Sequence, residues 1–204
     1  MERRALRLLL VFAALGLGGC GGGSTHSSQP SGTTTVVGPA PTSGTPPLQG
    51  EAGSAGTGDI PDNQVFLLFR NRAASYSVKY PEGWAQQGTD DRVVFRDKNN
   101  IVRILVHAGR PATAASVGRE LGAQPGVKVT RQAQAATISG EPAVKAVYTT
   151  ESGPSSVTGK RVELTVDRYY LSHAGRVAVL DLGTPVGVDN VDAYRLIVDS
   201  FRWR

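Results

Sequence analysis

Apolar and polar residues alternate in several segments after about residue 75, which is the pattern of half-buried strands. Tyr76, Val78 and Tyr80 share one face, and Pro81-Glu82-Gly83 follows as a turn. Further strands are predicted over 93–95, 101–106, 162–166 and 177–182. Asp97-Lys98-Asn99-Asn100 joins two of these strands and has the composition of a hairpin turn. The run 177–182 is almost continuously apolar, so it predicts a central strand buried on both faces.

Two segments have the helical period instead. Between Pro111 and Gly122, apolar residues recur at helical spacing, which predicts a short helix. A second stripe, Val191 to Phe201, follows Asp189 and Asn190, either of which suits the N-cap. The order of strands, helix, strands and C-terminal helix predicts an α+β fold with a mostly antiparallel sheet.

The first sixty residues have a different composition. From Gly21 to about Ile60 the chain is rich in Gly, Ser, Thr and Pro and nearly lacks bulky apolar residues. Such a segment buries too little surface to offset its ordering entropy. We therefore expect a disordered tether over 20–60, dispensable for folding, and one folded domain over 61–204.

The extreme N-terminus has the three parts of an export signal. Arg3, Arg4 and Arg7 precede the apolar run 8–15, which is too short for a permanent membrane span. Leu17-Gly18-Gly19-Cys20 then resembles the lipobox of bacterial lipoproteins. The resemblance implies a signal peptide over 1–19, cleavage between Gly19 and Cys20, and lipidation of Cys20 with acyl chains such as palmitate.

The lipobox also predicts where the protein resides. Acyl chains on Cys20 would anchor the chain to a membrane, with the domain outside the cytoplasm. Gly21 follows the cysteine where an aspartate would favour retention in an inner membrane. We therefore expect a lipid-anchored protein of the cell envelope, on the cell membrane or, in a cell with two membranes, on the outer one.

Candidate catalytic and metal-binding residues are few. Cys20 is the one cysteine, so neither a disulfide within the chain nor a multi-thiolate metal site can form. His107 and His173 lie far apart in sequence, and the pairs Asp90-Asp91 and Asp189/Asp192 fit turns and helix capping. No serine lies in a Gly-x-Ser-x-Gly motif. The formal net charge of +5 includes no run of Lys or Arg, which argues against nucleic-acid binding. We predict no enzyme activity, no cofactor and no metal.

A family resemblance supports the predicted fold. Tyr76-Ser77-Val78-Lys79-Tyr80-Pro81-Glu82-Gly83-Trp84 is similar to the early strand-turn signature of PsbP-like domains. Segments 95–106, 138–148 and 197–201 match in the same order, so the resemblance covers about residues 62–204. It implies a twisted, mostly antiparallel sheet flanked by helices, without a catalytic centre. The family includes an extrinsic subunit of photosystem II and bacterial lipoproteins, but this chain lacks recognisable matches to the photosynthetic partner-binding loops and metal ligands.

Two questions of function stay open at this stage. Trp84 is either a core residue that anchors the turn after Pro81 or a surface contact for a partner. The domain as a whole is predicted to be a non-catalytic binding or assembly module for an envelope protein. The alternatives are a carrier of small molecules or lipids, which needs an apolar cavity, and a hydrolase whose site assembles from scattered residues.

Overall fold

The computed structural model describes residues 58–155 and 159–204. The predicted signal peptide, the lipobox with Gly19 and Cys20, and the tether up to residue 57 lie outside the described residues. Ten strands and two helices occur in the described part. They are β1 (Phe66–Asn71), β2 (Tyr76–Pro81), β3 (Ala85–Thr89), β4 (Arg92–Asp97), β5 (Asn100–Ala108), α1 (Ala114–Gly122), β6 (Lys128–Ile138), β7 (Glu141–Glu151), β8 (Glu163–His173), β9 (Arg176–Pro185), α2 (Val191–Asp199) and β10 (Arg202–Trp203).

The strands form two sheets. Seven strands pair in the order β3-β4-β5-β9-β8-β7-β6, and β1-β2-β10 make a smaller sheet. Every pair among the described strands is antiparallel. The predicted α+β class with a mostly antiparallel sheet is therefore confirmed. β9 lies at the centre and is buried along nearly its whole length, as its apolar sequence predicts.

One face of the large sheet is packed with apolar side chains and is called here the α2 face. Ile104 of β5 and Leu180 of β9 lie opposite each other in register and are fully buried. Ile197 of α2 and Tyr76 of β2 belong to the same cluster, so the small sheet and the C-terminal helix both cover this face. Burial of the apolar side chains of this cluster stabilises the fold through the hydrophobic effect.

The opposite face, called here the α1 face, is covered over part of its area. Val117 and Leu121 of α1 are buried with apolar residues of β6, β7 and β8. The helix begins after Thr113, whose hydroxyl accepts a hydrogen bond from the Ser116 amide at 3.1 Å. Because α1 packs on β6 and β7, the side chains of β4 and β5 on this face lie beyond the helix.

The predicted turns form as their sequences indicate. Asp97 pairs with Asn100, which leaves a two-residue hairpin loop with Lys98 at φ 50°. In the turn after β2, Gly83 has φ 87°, a conformation that glycine adopts without steric cost. Trp84 then folds back into the core of the α2 face.

A buried group of neutral polar side chains marks the start of the folded domain. Asn100, Thr184 and Asn190, called here the amide cluster, hydrogen-bond to one another. Asn100 and Asn190 also donate to the carbonyl of Gly58, and the Ile60 amide donates to Asn190 at 2.7 Å. The folded part thus extends to Gly58, three residues before the boundary expected from composition.

Asp189 and Asn190, the two candidate N-cap residues, make different contacts at the start of α2. Asn190 is the N-cap residue by position, but its side chain makes no capping hydrogen bond. Instead, the Asp189 carboxylate accepts from the Val191 amide at 3.1 Å. The side chain of Asn190 is thereby available to the amide cluster.

Candidate functional site

Three charged side chains lie in one transverse row on the α1 face. Arg103 of β5 is in register with Asp181 of β9, and Asp181 is in register with Arg168 of β8. Residues opposite each other on neighbouring strands share a face and come within contact distance. The fold therefore brings together one carboxylate and two guanidinium groups, called here the charged row.

The centre of the charged row is a buried ion pair. The side chains of Asp181 and Arg168 are 6% and 9% exposed. Arg168 holds the carboxylate with two hydrogen bonds, Nε to Oδ1 at 2.5 Å and Nη2 to Oδ2 at 2.9 Å. A buried charge is tolerated only when it is paired in this way. The two-point geometry also fixes the orientation of both groups.

Neighbouring side chains complete the environment of Arg168. Its Nη1 donates to Glu120 Oε1 of α1 at 3.1 Å, and the Tyr170 hydroxyl donates to the same oxygen at 2.8 Å. The guanidinium carbon lies 5.2 Å from the centre of the Tyr148 ring. The charged row is thus linked to helix α1 through Glu120.

Electrostatics and burial keep Arg168 and Tyr148 in fixed protonation states. Burial by itself would lower the pKa of Arg168, but the hydrogen bonds and charge of Asp181 outweigh burial and raise it. Burial raises the pKa of Tyr148 to about 12. Arg168 therefore stays charged and Tyr148 neutral near neutral pH, and neither is poised for proton transfer.

Two depressions flank the charged row, and together they are called here the α1-face cleft. The larger, about 540 Å³, lies between the β4–β5 hairpin and the segment 150–155. The smaller, about 420 Å³, is lined by residues that include Arg92, His107 and Glu120. Arg103 and Asp181 line both. The Arg103 side chain is 45% exposed and contacts Asp181 through a single Nη1–Oδ2 approach of 3.4 Å, so most of its donors remain available.

Trp84 is not part of the cleft. It is 8% exposed and belongs to the apolar cluster of the opposite face, with Tyr76 and Phe95. Its burial favours the core-anchor interpretation over the partner-contact interpretation. Cys20 and Gly19, the predicted lipidation and cleavage residues, lie outside the described residues.

The two histidines of the domain lie on opposite faces of the large sheet. His107 is exposed near the end of β5 on the α1 face. His173, the last residue of β8, stacks on Trp203 at 6.1 Å on the other side. They are therefore not placed to act as a pair. Within residues 58–155 and 159–204, no group of three or more His, Cys, Asp or Glu is arranged to hold a metal ion. In the same ranges, neither helix has the length and apolar character needed to cross a membrane.

Sequence inspection missed the charged row, although each member leaves a trace. Asp181 is the one charged residue in the apolar run 177–182, and a charge in a buried strand requires a partner. Arg103 and Arg168 are in phase with apolar residues of their own strands. The pattern therefore indicated buried charges, but only the register of three strands identifies which charges pair.

Comparisons with known proteins address the fold. No family model and no curated protein matches the chain. Among solved structures, the cyanobacterial PsbP protein (CyanoP) of Synechocystis sp. PCC 6803 superposes with a TM-score of 0.52 and 18% identity, covering 72% of this chain and 98% of its own. The fold is PsbP-like. The resemblance noted in the sequence is thereby confirmed at the level of fold, which is as far as a similarity of this identity reaches.

Two further solved structures match with TM-scores below 0.5. The Ran-binding protein Mog1p of Saccharomyces cerevisiae gives a TM-score of 0.44 at 9% identity, covering 69% of this chain and 96% of its own. LpqN, a protein involved in cell envelope biogenesis of Mycobacterium tuberculosis, gives 0.40 at 17% identity, covering 69% and 91%. No function is transferred from either.

Proposed function

We propose that this chain is a lipid-anchored extracytoplasmic protein whose PsbP-like domain is a non-catalytic binding module. In this proposal the α1-face cleft contacts an envelope protein. The observation that carries it is the charged row, a rigid set of paired charges beside an open cleft. Such an arrangement suits recognition, because the buried Arg168–Asp181 pair holds Arg103 in a fixed environment without providing a nucleophile or an acid–base couple.

The lining of the cleft favours this function over the carrier alternative. A carrier of lipids or other apolar ligands needs an enclosed cavity with few polar groups. The larger depression has a mixed lining instead, in which charged side chains lie beside apolar ones: Arg96, Lys98, Arg103, Glu151 and Asp181 with Ile101, Tyr148, Leu164 and Val166. Desolvation of the charged side chains by an acyl chain would be unfavourable, whereas a polar protein surface can pair with them.

Membrane attachment is the first part of the proposal to test. Cys20→Ser removes the sulfur that the lipobox predicts as the acylation site. We expect loss of the acyl mass and either release of the protein from membranes or accumulation of uncut precursor. An unmodified Cys20 in the mature wild-type protein, measured by intact mass, would contradict the lipoprotein assignment.

Partner contact through the cleft is tested by site-directed photocrosslinking in intact cells, with the lipid anchor present. One crosslinker replaces Asn99, which lines the cleft, and a matched one replaces Arg195, which is exposed on α2. We expect a discrete crosslinked protein from position 99 only. Equal products from both positions, or none from position 99, would reject the cleft as the binding surface.

A further inference from the structure

Three arginines cluster at the mouth of the α1-face cleft. Arg92 and Arg96 of β4 lie on the same face as Val94, and Val94 is in register with Arg103 of β5. Arg103 is therefore the diagonal neighbour of both, at roughly 7–8 Å. Arg92, Arg96 and Arg103 are called here the arginine triangle. Arg96 lines the larger depression and Arg92 the smaller, so the triangle spans both.

The outer two arginines of the triangle are not paired with the acidic side chains of the cleft, although Glu151 and Glu120 line the same depressions. Within residues 58–155 and 159–204, no hydrogen bond or ion pair involves the side chain of Arg92 or Arg96, and Arg103 shares Asp181 with Arg168. Like charges at neighbouring positions of a sheet repel one another, most strongly when directly opposite and less strongly in the diagonal arrangement found here. An anion that lies between the guanidinium groups would relieve this diagonal repulsion and pair with Arg92 and Arg96.

Spacing indicates the kind of anion. In an extended peptide, side chains on one face are two residues apart, which is roughly 6.5–7 Å. That distance approximates the roughly 7–8 Å between diagonal members of the triangle. Guanidinium groups bind carboxylates with two parallel hydrogen bonds, as Arg168 binds Asp181 on the same face.

We propose that the arginine triangle binds an extended acidic segment of a partner protein, with Asp or Glu at alternate positions. This inference rests on the proposed binding function and specifies the chemistry of the partner. Successive carboxylates of the segment pair with Arg92, Arg103 and Arg96 in turn. Arg103, in the middle, stays next to Asp181 through its one 3.4 Å contact, and the outer two adapt to the segment.

The test uses the full chain with Cys20→Ser, so that an acyl anchor makes no contribution. The probe is a synthetic peptide with glutamate at alternate positions, and its affinity is measured by calorimetry. Arg92→Gln with Arg96→Gln should weaken binding about tenfold or more, because two charge-assisted contacts are lost. Arg70→Gln with Arg72→Gln is the matched control. It removes equal charge from β1 and the following turn, and should change affinity by less than about twofold, as remote charges screened by salt do.

Two further measurements separate recognition from general attraction. A peptide of equal charge with its glutamates adjacent should bind more weakly than the alternating peptide. Thermal melts of both double variants should match the parent. If the Arg92/Arg96 variant melts early, Arg92→Lys with Arg96→Lys replaces it, and should bind more weakly than the parent because the two-point geometry is lost.

Three outcomes would overturn the inference. Equal loss in both double variants would mean that net charge alone attracts the peptide. Binding to phosphatidylglycerol vesicles that needs Arg92 and Arg96, without binding of the peptide, would assign the triangle to a lipid surface. No peptide binding, together with a discrete crosslink from position 99, would reject the acidic segment and leave the proposed binding function standing. Peptide binding without any crosslink would show that the triangle recognises acidic segments, but it would reject the proposal that an envelope protein binds at the cleft in the cell.

Discussion

The two faces of β5 and β9 hold two groups of polar side chains that differ in charge and in exposure. Asn100 and Thr184 belong to the amide cluster on the α2 face, and Arg103 and Asp181 belong to the charged row on the α1 face. The clusters are three residues apart on the same two strands. One is neutral and is closed over by the chain at Gly58 and Ile60. The other is charged and opens into a cleft.

The two clusters differ in whether they leave hydrogen-bonding groups available to a ligand. In the amide cluster, donors and acceptors satisfy one another and the entering backbone, so nothing is left for a ligand. In the charged row, Asp181 and Arg168 satisfy each other, but Arg103 presents a guanidinium to the cleft. Neutral groups can be closed inside a domain at little cost, whereas charges require a partner or solvent. The open charged cluster is therefore the binding candidate.

The largest effect is expected from breaking the buried ion pair. Arg168→Leu leaves the Asp181 carboxylate buried without its main partner and should destabilise the domain by about 3–5 kcal/mol. Arg168→Leu combined with Asp181→Leu should recover most of that loss. Denaturant unfolding of both variants measures the difference. If Arg168→Leu were as stable as the wild type, Asp181 would not be held as described. Arg103→Gln is the control: Arg103 is exposed, so this change should alter stability by less than about 1 kcal/mol.

Trp84 allows the same kind of stability measurement in the apolar core of the α2 face. Trp84→Ala should leave a cavity and lower the free energy of unfolding by roughly 3–5 kcal/mol. Val65→Ala is the control, since Val65 is 55% exposed and should change stability by less than about 0.5 kcal/mol. A loss below about 1 kcal/mol for Trp84→Ala would contradict the core-anchor interpretation and favour Trp84 as a surface contact for a partner.

The amide cluster predicts an effect of truncation. A chain that begins at Pro61 lacks the Gly58 carbonyl and the Ile60 amide, so Asn100 and Asn190 lose buried partners. We expect it to be less stable by about 2–3 kcal/mol than a chain that begins at Gly58. Composition alone had suggested that everything before Pro61 is dispensable for folding. Equal melting temperatures for the two chains would restore that view and show that water replaces the lost contacts.

The smallest effect is expected at Gly183, which lies on β9 between the two clusters. A Cβ atom there would approach Ile101 Cγ2 to 2.8 Å. Gly183→Ala should therefore destabilise the domain by about 1–2 kcal/mol through overpacking of the α1 face. Gly118→Ala is the matched change in α1, where a Cβ meets nothing within 4 Å, and it should stabilise by up to about 1 kcal/mol. Opposite signs in thermal melts would confirm the close packing beneath the charged row.

The sequence by itself determined several of the local elements and, through the segment 76–84, the PsbP-like fold; β3, β6, β7 and β10 were not predicted. Alternation identified β2 and β8, the turn residues identified the β4–β5 hairpin, and helical spacing identified α1 and α2. These features are encoded by residues a few positions apart, so their physical causes can be read locally. The predicted lipidation of Cys20 likewise comes from sequence alone and stays a prediction.

Only the tertiary structure decided where the charged residues meet. Arg103 and Asp181 are separated by 78 positions, and β5 and β9 become neighbours only when the whole sheet assembles. Register between strands that are distant in sequence depends on which face each strand buries, and a shift by one residue would move every side chain to the other face. The charged row, the arginine triangle and the burial of Trp84 all follow from that register and from the packing of α1 and α2 on opposite faces.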